Sequence, residues 1–234
     1  MKGIRRKFIR KEFKKKRGQS LVETALMFPV LLILLSGLVE FGFLLNEYLT
    51  ILDAARNAAR FSSDSLYNAA DSDQNCNTTR DFFRQTTCLV NQELRQEQPL
   101  VEMNDNGTPG MLDDDYLDPN RGDDIIVSAF SIAQGIGVTA RYPAGYGDSG
   151  WSYSLDFPTY NIRNESSMFT SADIEAKLDA NAPNTGFVMV EIFYLYPMKL
   201  RLPWITMFID DPVPLHVFTL MPLVSAEPTP TPIP

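Results

Sequence analysis

From Thr24 to Val39 the chain runs sixteen residues without a charged side chain, and just upstream lies its most basic stretch. No other feature limits the fold as strongly, because so long an apolar segment has to be housed in a core or in a bilayer. As an α-helix rising about 1.5 Å per residue, Leu21 to Glu40 covers about 30 Å, the thickness of a bilayer's hydrocarbon. Residues 1–17 carry ten of the 21 Lys and Arg but only one of the 29 acids, leaving 11 bases and 28 acids for the rest. This change of sign across an apolar run orients a single span with its N-terminus in the cytoplasm and the remainder outside. A basic tail abutting a span also speaks against nucleic acid as a partner. A cleaved secretory signal is the competing reading. The run is longer than the ~7 to 15 apolar residues of such signals, and it continues into helix-forming sequence instead of stopping at a small-residue site.

The continuation, NEYLTILDAARNAARFSS (46–63), keeps helical periodicity. Leu45, Leu49, Ile51 and Leu52 with Ala54, Ala55, Ala58 and Ala59 form the expected apolar stripe. Glu47, Asp53, Arg56 and Arg60 form the expected wet side, with an Asp53–Arg56 pair at i, i+3. One helix of about 40 residues, half in lipid, is the economical reading. Pro29 lies inside it and predicts a bend there. The alanines permit close approach either of the protein's own sheet or of a partner.

Glu23 then stands out as a carboxylate at the start of the lipid-embedded run. It can snorkel toward Arg17 and the headgroups, or it can meet a cation on another molecule. The stretch RGQSLVETALMFPVLLILLSGLVEFGFLLNEYLTILDAARNAARF (17–61) resembles the TadE-like family of minor pilins of the tight-adherence (Flp) pilus system. The resemblance rests on the Gly18 junction, Val22-Glu23, Ala25 to Pro29, Glu40 near the outer end, and the Ala54 to Arg60 pattern. It implies a non-enzymatic envelope protein of a pilus-assembly machine, whose partners are the cytoplasmic membrane, other pilin subunits and pilus-assembly proteins. It also implies a prepilin peptidase cutting between Gly18 and Gln19. The new Gln19 amine would be cationic at neutral pH, and Glu23 of an adjacent subunit would offset it, making Glu23 an intersubunit register device. TadG-like relatives share the helix as uncleaved anchors or adhesins, and that alternative stays open. Thr24 stands where Flp-type pilins usually place an aromatic.

The organisation expected is a basic leader (1–18), a transmembrane helix (19–45), its extension (46–63), an extracytoplasmic α+β domain (64–224) and a proline-spaced tail (225–234). A helix is expected around residues 80–98, strands over 124–133, 136–142, 186–196 and 214–221, and a helix over 170–181 with Ser171 as N-cap. Ile136, Val138, Ala140 and Tyr142 are expected to form one buried face. An antiparallel sheet packed on the outer half of the long helix would cover both apolar faces. Cys76 and Cys88, both on the expected oxidising side, predict a disulfide. Seven aspartates (105, 113, 114, 115, 118, 123, 124) predict a solvated acidic loop, with calcium the alternative. His216, the sole histidine, sits in a strand pattern without a nucleophile motif and reads as structural. Neither a metal site nor a cofactor motif is expected.

Overall fold

The computed structural model describes residues 19–63, 82–96, 98, 101–107, 115–156, 163–179 and 184–223. The leader, the proline-spaced tail, Cys76, Asp113 and Asp114 lie outside these residues. Helix α1 (Gln19–Ser63) is 45 residues long and runs unbroken through Pro29. Its two halves meet different surroundings. Ser20 to Leu35 are all exposed, whereas from Ser36 onward one face is covered at Glu40, Glu47, Ile51, Ala54, Ala55, Ala58, Ala59 and Ser62. That spacing of three and four residues is the period of a helix seated on a partner surface. The small alanines let the helix axis approach closely.

The partner surface is a sheet of order β2-β1-β4-β5, antiparallel throughout, with the two-residue β3 also paired to β1. The strands are β1 (Asp124–Ala133), β2 (Gly137–Tyr142), β3 (Trp151–Ser152), β4 (Thr185–Tyr196) and β5 (Val213–Pro222). Alternation along β1 and β4 divides them between two cores. Ile125, Val127 and Ala129 join Val188, Val190, Ile192, Tyr194 and Tyr196 against α1 and α2 (Phe82–Arg95). Phe130 and Met189 face the other way, under Phe169 and Ile174. Burial on both faces explains why β1 reads DIIVSAFSIA, nearly continuous in apolar residues. Helix α2 turns Phe82, Thr86, Val90 and Leu94 inward at i, i+4 spacing, and its Thr86 Oγ1 lies 2.7 Å from Ser62 Oγ of α1. The architecture is α+β: a long N-terminal apolar helix and an antiparallel-sheet head.

Four details of the sequence reading need correction. Glu47 is not on the wet side: it is 2% exposed. Leu45 and Leu49 are exposed, so the buried stripe on the extension runs through Ile51 and the alanines. In β2 the buried residue is Arg141, while Ile136 is 70% exposed. A register shift opposite Ser131/Ile132 breaks the simple alternation, and Arg141 instead lies over the Phe130 ring and donates to Ser128 Oγ at 2.8 Å and to the Phe169 carbonyl at 2.6 Å. The helix expected over 170–181 shortens to α3 (Ser171–Glu175), capped by Thr170 and not by Ser171, in a reciprocal box with Asp173. Gly150, at φ +70°, leads into β3, where an added Cβ would stand 2.6 Å from Ser128 Oγ and 2.7 Å from Ile126 Cγ2.

Candidate functional site

The chemistry of this fold is concentrated where helix meets head. Glu40 and Glu47 are seven residues apart on the face of α1 that the head covers, both nearly fully buried. Glu40 receives three hydrogen bonds: Oε1 accepts from Tyr196 Oη at 2.8 Å and from the Lys199 amide at 2.9 Å, and Oε2 from the Leu200 amide at 2.8 Å. Glu47 Oε1 accepts from Tyr194 Oη at 2.5 Å, and its Oε2 lies 3.5 Å from Lys199 Nζ. A buried carboxylate is costly unless donors surround it, and here strand β4 and the turn after it supply them. Tyr194 and Tyr196 alternate with Leu195 along β4, so both phenols point to the same side of the sheet.

The network continues into the head. Tyr194 Oη accepts from the Glu102 amide at 3.0 Å, and the Arg121 guanidinium lies 4.9 Å from the centre of the Tyr194 ring. Arg121 donates to Asp123 Oδ2 at 2.5 Å, and Asp123 Oδ1 accepts from the Leu195 amide at 2.9 Å. Burial pushes the Asp123 carboxyl up to about 6, with Arg121 pulling the other way. Burial, followed by the carboxylate each one faces, holds the Tyr194 and Tyr196 phenols well above their ordinary range. Asp124 is likewise interior, its Oδ2 accepting from Ser152 Oγ at 2.7 Å, Ser154 Oγ at 2.9 Å and the Glu165 amide at 3.1 Å. Asp115, Asp123 and Asp124 are buried and so correct the reading of a solvated acidic loop: Asp123 and Asp124 tie strands and turns together inside the head, and Asp115 Oδ2 accepts from Gln98 Nε2 at 2.7 Å.

At its lower end the junction reaches into the apolar run. Trp204 Nε1, on the short helix α4 (Pro203–Thr206) between β4 and β5, donates to Ser36 Oγ at 3.0 Å. Glu23 and Pro29 lie below this point on the exposed half of α1, and Gln19 is its first residue. Gly18 lies outside the described residues. Cys88 is on α2 and is disulfide-bonded. Its expected partner, Cys76, is not among the described residues. No group of three or more His, Cys, Asp and Glu is placed to hold a metal ion among the described residues.

The exposed lower half, the buried acids of the upper half and the head clasped to one side all fall on a single segment. Residues 18–60 match the model of the TadE-like protein family. No curated protein and no solved structure matches the chain. The TadE-like match coincides with α1 almost end to end, and α1 is also the one described helix long and apolar enough to cross a membrane. The head beyond residue 60 is outside the match. Within the TadE-like segment Glu40 was legible as part of the family pattern, but its partners were not.

His216, on β5, places Nε2 3.1 Å from Glu191 Oε1 and stacks 4.5 Å from the Phe193 ring centre. Ser167 Oγ donates to the other oxygen of the same carboxylate at 2.5 Å. Glu191 thus stands between Ser167 and His216, and the cluster fastens residues 167–169 to the sheet.

Proposed function

We propose that the chain is a membrane-anchored minor pilin of the TadE-like kind, taking part in assembly of a Flp-type pilus. In this reading α1 crosses the cytoplasmic membrane once, its N-terminus faces the cytoplasm and the head stands on the far side. The observation that carries the proposal is the division of α1: Ser20 to Leu35 are exposed and apolar apart from Glu23 and a few small polar residues, while the same helix from Ser36 is built into the head. A subunit made this way offers a bare helix both to lipid and to neighbouring helices. Leu38, Phe41, Leu45 and Leu49 extend the offer to neighbouring helices above Ser36, since they remain exposed on α1.

Processing belongs to the same proposal. Cleavage between Gly18 and Gln19 by a prepilin peptidase would remove the ten basic residues of the leader, each contributing about 1 kcal/mol of attachment to an anionic surface. It would leave an amine on Gln19 one helical turn from Glu23. That amine would meet Glu23 of the adjacent subunit, because an unpaired cation in lipid is expensive. Intact-mass measurement in cells with and without the peptidase tests the cut. Loss of residues 1–18 supports a processed pilin, and a full-length product favours an uncleaved TadG-like anchor. Glu23→Ala is expected to leave membrane insertion intact and abolish recovery in sheared pili; unchanged recovery would refute the pairing.

A further inference from the structure

The connection between β4 and β5 holds Glu40 at its start, but residues 202–209 have no part in the proposed function and their surface is unusual. Leu202 to Ile209, LPWITMFI, carries no charge and is flanked by Arg201 on one side and Asp210 and Asp211 on the other. Beyond Ile205, which packs against the core, its apolar side chains turn outward: Met207 is 80% exposed, Phe208 86% and Ile209 49%. A turn bathed in water has no reason to present a methionine and a phenylalanine side by side on its tip. Its position along α1 supplies one. The Lys199 and Leu200 amides hold Glu40, and Trp204 then reaches Ser36, so the connection descends about one helical turn, ~6 Å, toward the N-terminus of α1. Ser36 lies inside the charge-free run Thr24 to Val39. Where the outer end of that run, at Val39, marks the edge of the hydrocarbon, Trp204 and the segment around it stand at the bilayer boundary.

We propose that residues 202–209 form a second membrane contact, an interfacial foot resting in the leaflet that faces the head. The ligand is the lipid surface itself. Met207, Phe208 and Ile209 enter the acyl boundary, and Trp204, an amphipathic ring with its N–H satisfied by Ser36, sits at headgroup level. Arg201 and the Asp210–Asp211 pair stay at the wet rim, Arg201 Nε lying 3.3 Å from Asp211 Oδ2. The foot and the span are continuous, so the inference rests on α1 crossing the membrane.

The chain's two tryptophans give the test, since Trp151 is buried in the head and Trp204 lies in the foot. The full chain is reconstituted in phosphatidylethanolamine/phosphatidylglycerol vesicles whose acyl chains are brominated near the headgroup, and is first floated on a density gradient. The emission of wild type minus that of Trp204→Phe isolates Trp204, and Trp151→Phe isolates it independently. The expected result is a chain that floats, with Trp204 quenched severalfold more strongly by the bromines than Trp151 and poorly by aqueous iodide. Met207→Asp/Phe208→Asp should lose that bromine quenching and open Trp204 to iodide. A floating chain whose Trp204 is quenched by iodide and untouched by bromine overturns the foot while leaving the span standing. Shielding of Trp204 from both quenchers also overturns it, because a second copy of the chain would then cover the tip. A chain that does not float overturns the span and the foot together.

Discussion

Replacing Glu40 with alanine tests the junction most directly. The carboxylate is 5% exposed and takes a phenol and two backbone amides at 2.8 to 2.9 Å. Hydrogen bonds to an ionised acceptor contribute about 1.5 to 3 kcal/mol each, and a buried donor left without a partner costs about 1 to 3 kcal/mol. The three are coupled through one carboxylate and do not add fully, so a loss of about 3 to 5 kcal/mol is expected. Glu40→Gln should fall between alanine and wild type, because the amide oxygen can still accept while its NH2 faces the Leu200 N–H donor to donor. Tyr196→Phe removes a single bond and should cost about 1 to 2 kcal/mol. The assay is amide hydrogen exchange on the full chain in detergent micelles, read at Lys199 and Leu200, alongside denaturant unfolding of the head. Glu23→Ala serves as the control, since Glu23 is on the same helix but away from the head. A Glu40→Ala protein that unfolds within about 0.5 kcal/mol of wild type, with unchanged exchange at both amides, would refute the idea that this acid fastens the head to α1.

Two further tests address the head. Tyr194 and Tyr196 have pKa values raised above the unfolded value of about 10, so the stability they confer is fully present below that pH and is lost as the pH rises beyond it. Absorbance titration at alkaline pH should show two phenols ionising only with unfolding, and ionisation of all tyrosines in the folded head would contradict the network. Gly150→Ala should destabilise by about 2 kcal/mol or more, since its positive φ and the Ser128 and Ile126 contacts both oppose a Cβ; an unchanged melting temperature would show that β3 can shift aside.

Features set by neighbours in sequence were legible without a structure. The long apolar helix is a run of consecutive residues, the Asp53–Arg56 pair lies 3.2 Å apart as its spacing requires, and the four longer strands fall within a residue of their expected limits at each end. Features set by distant neighbours were not. Glu47 looked like a solvent-facing acid because its partner, Tyr194, is 147 residues away. Its position seven residues after Glu40 was a usable signal, since both then fall on one helix face together with Ile51. Asp123 and Asp124 resembled the loop before them in composition, yet the strand they open is buried on both faces and takes them inside with Arg121 and the serines of β3 and its following turn. Arg141 was hidden by the irregular pairing of β2. The foot lay in plain view as LPWITMFI, but its level beside Ser36 needed the fold.

The grip on α1 extends from Ser36 to Ser62, about seven turns along one side of the rod. A head held over that length cannot swivel about its stem, so the azimuth of each head is set by the azimuth of its helix. Were such stems to stack, the pattern of heads displayed on the outside would be dictated by how the rods nest within.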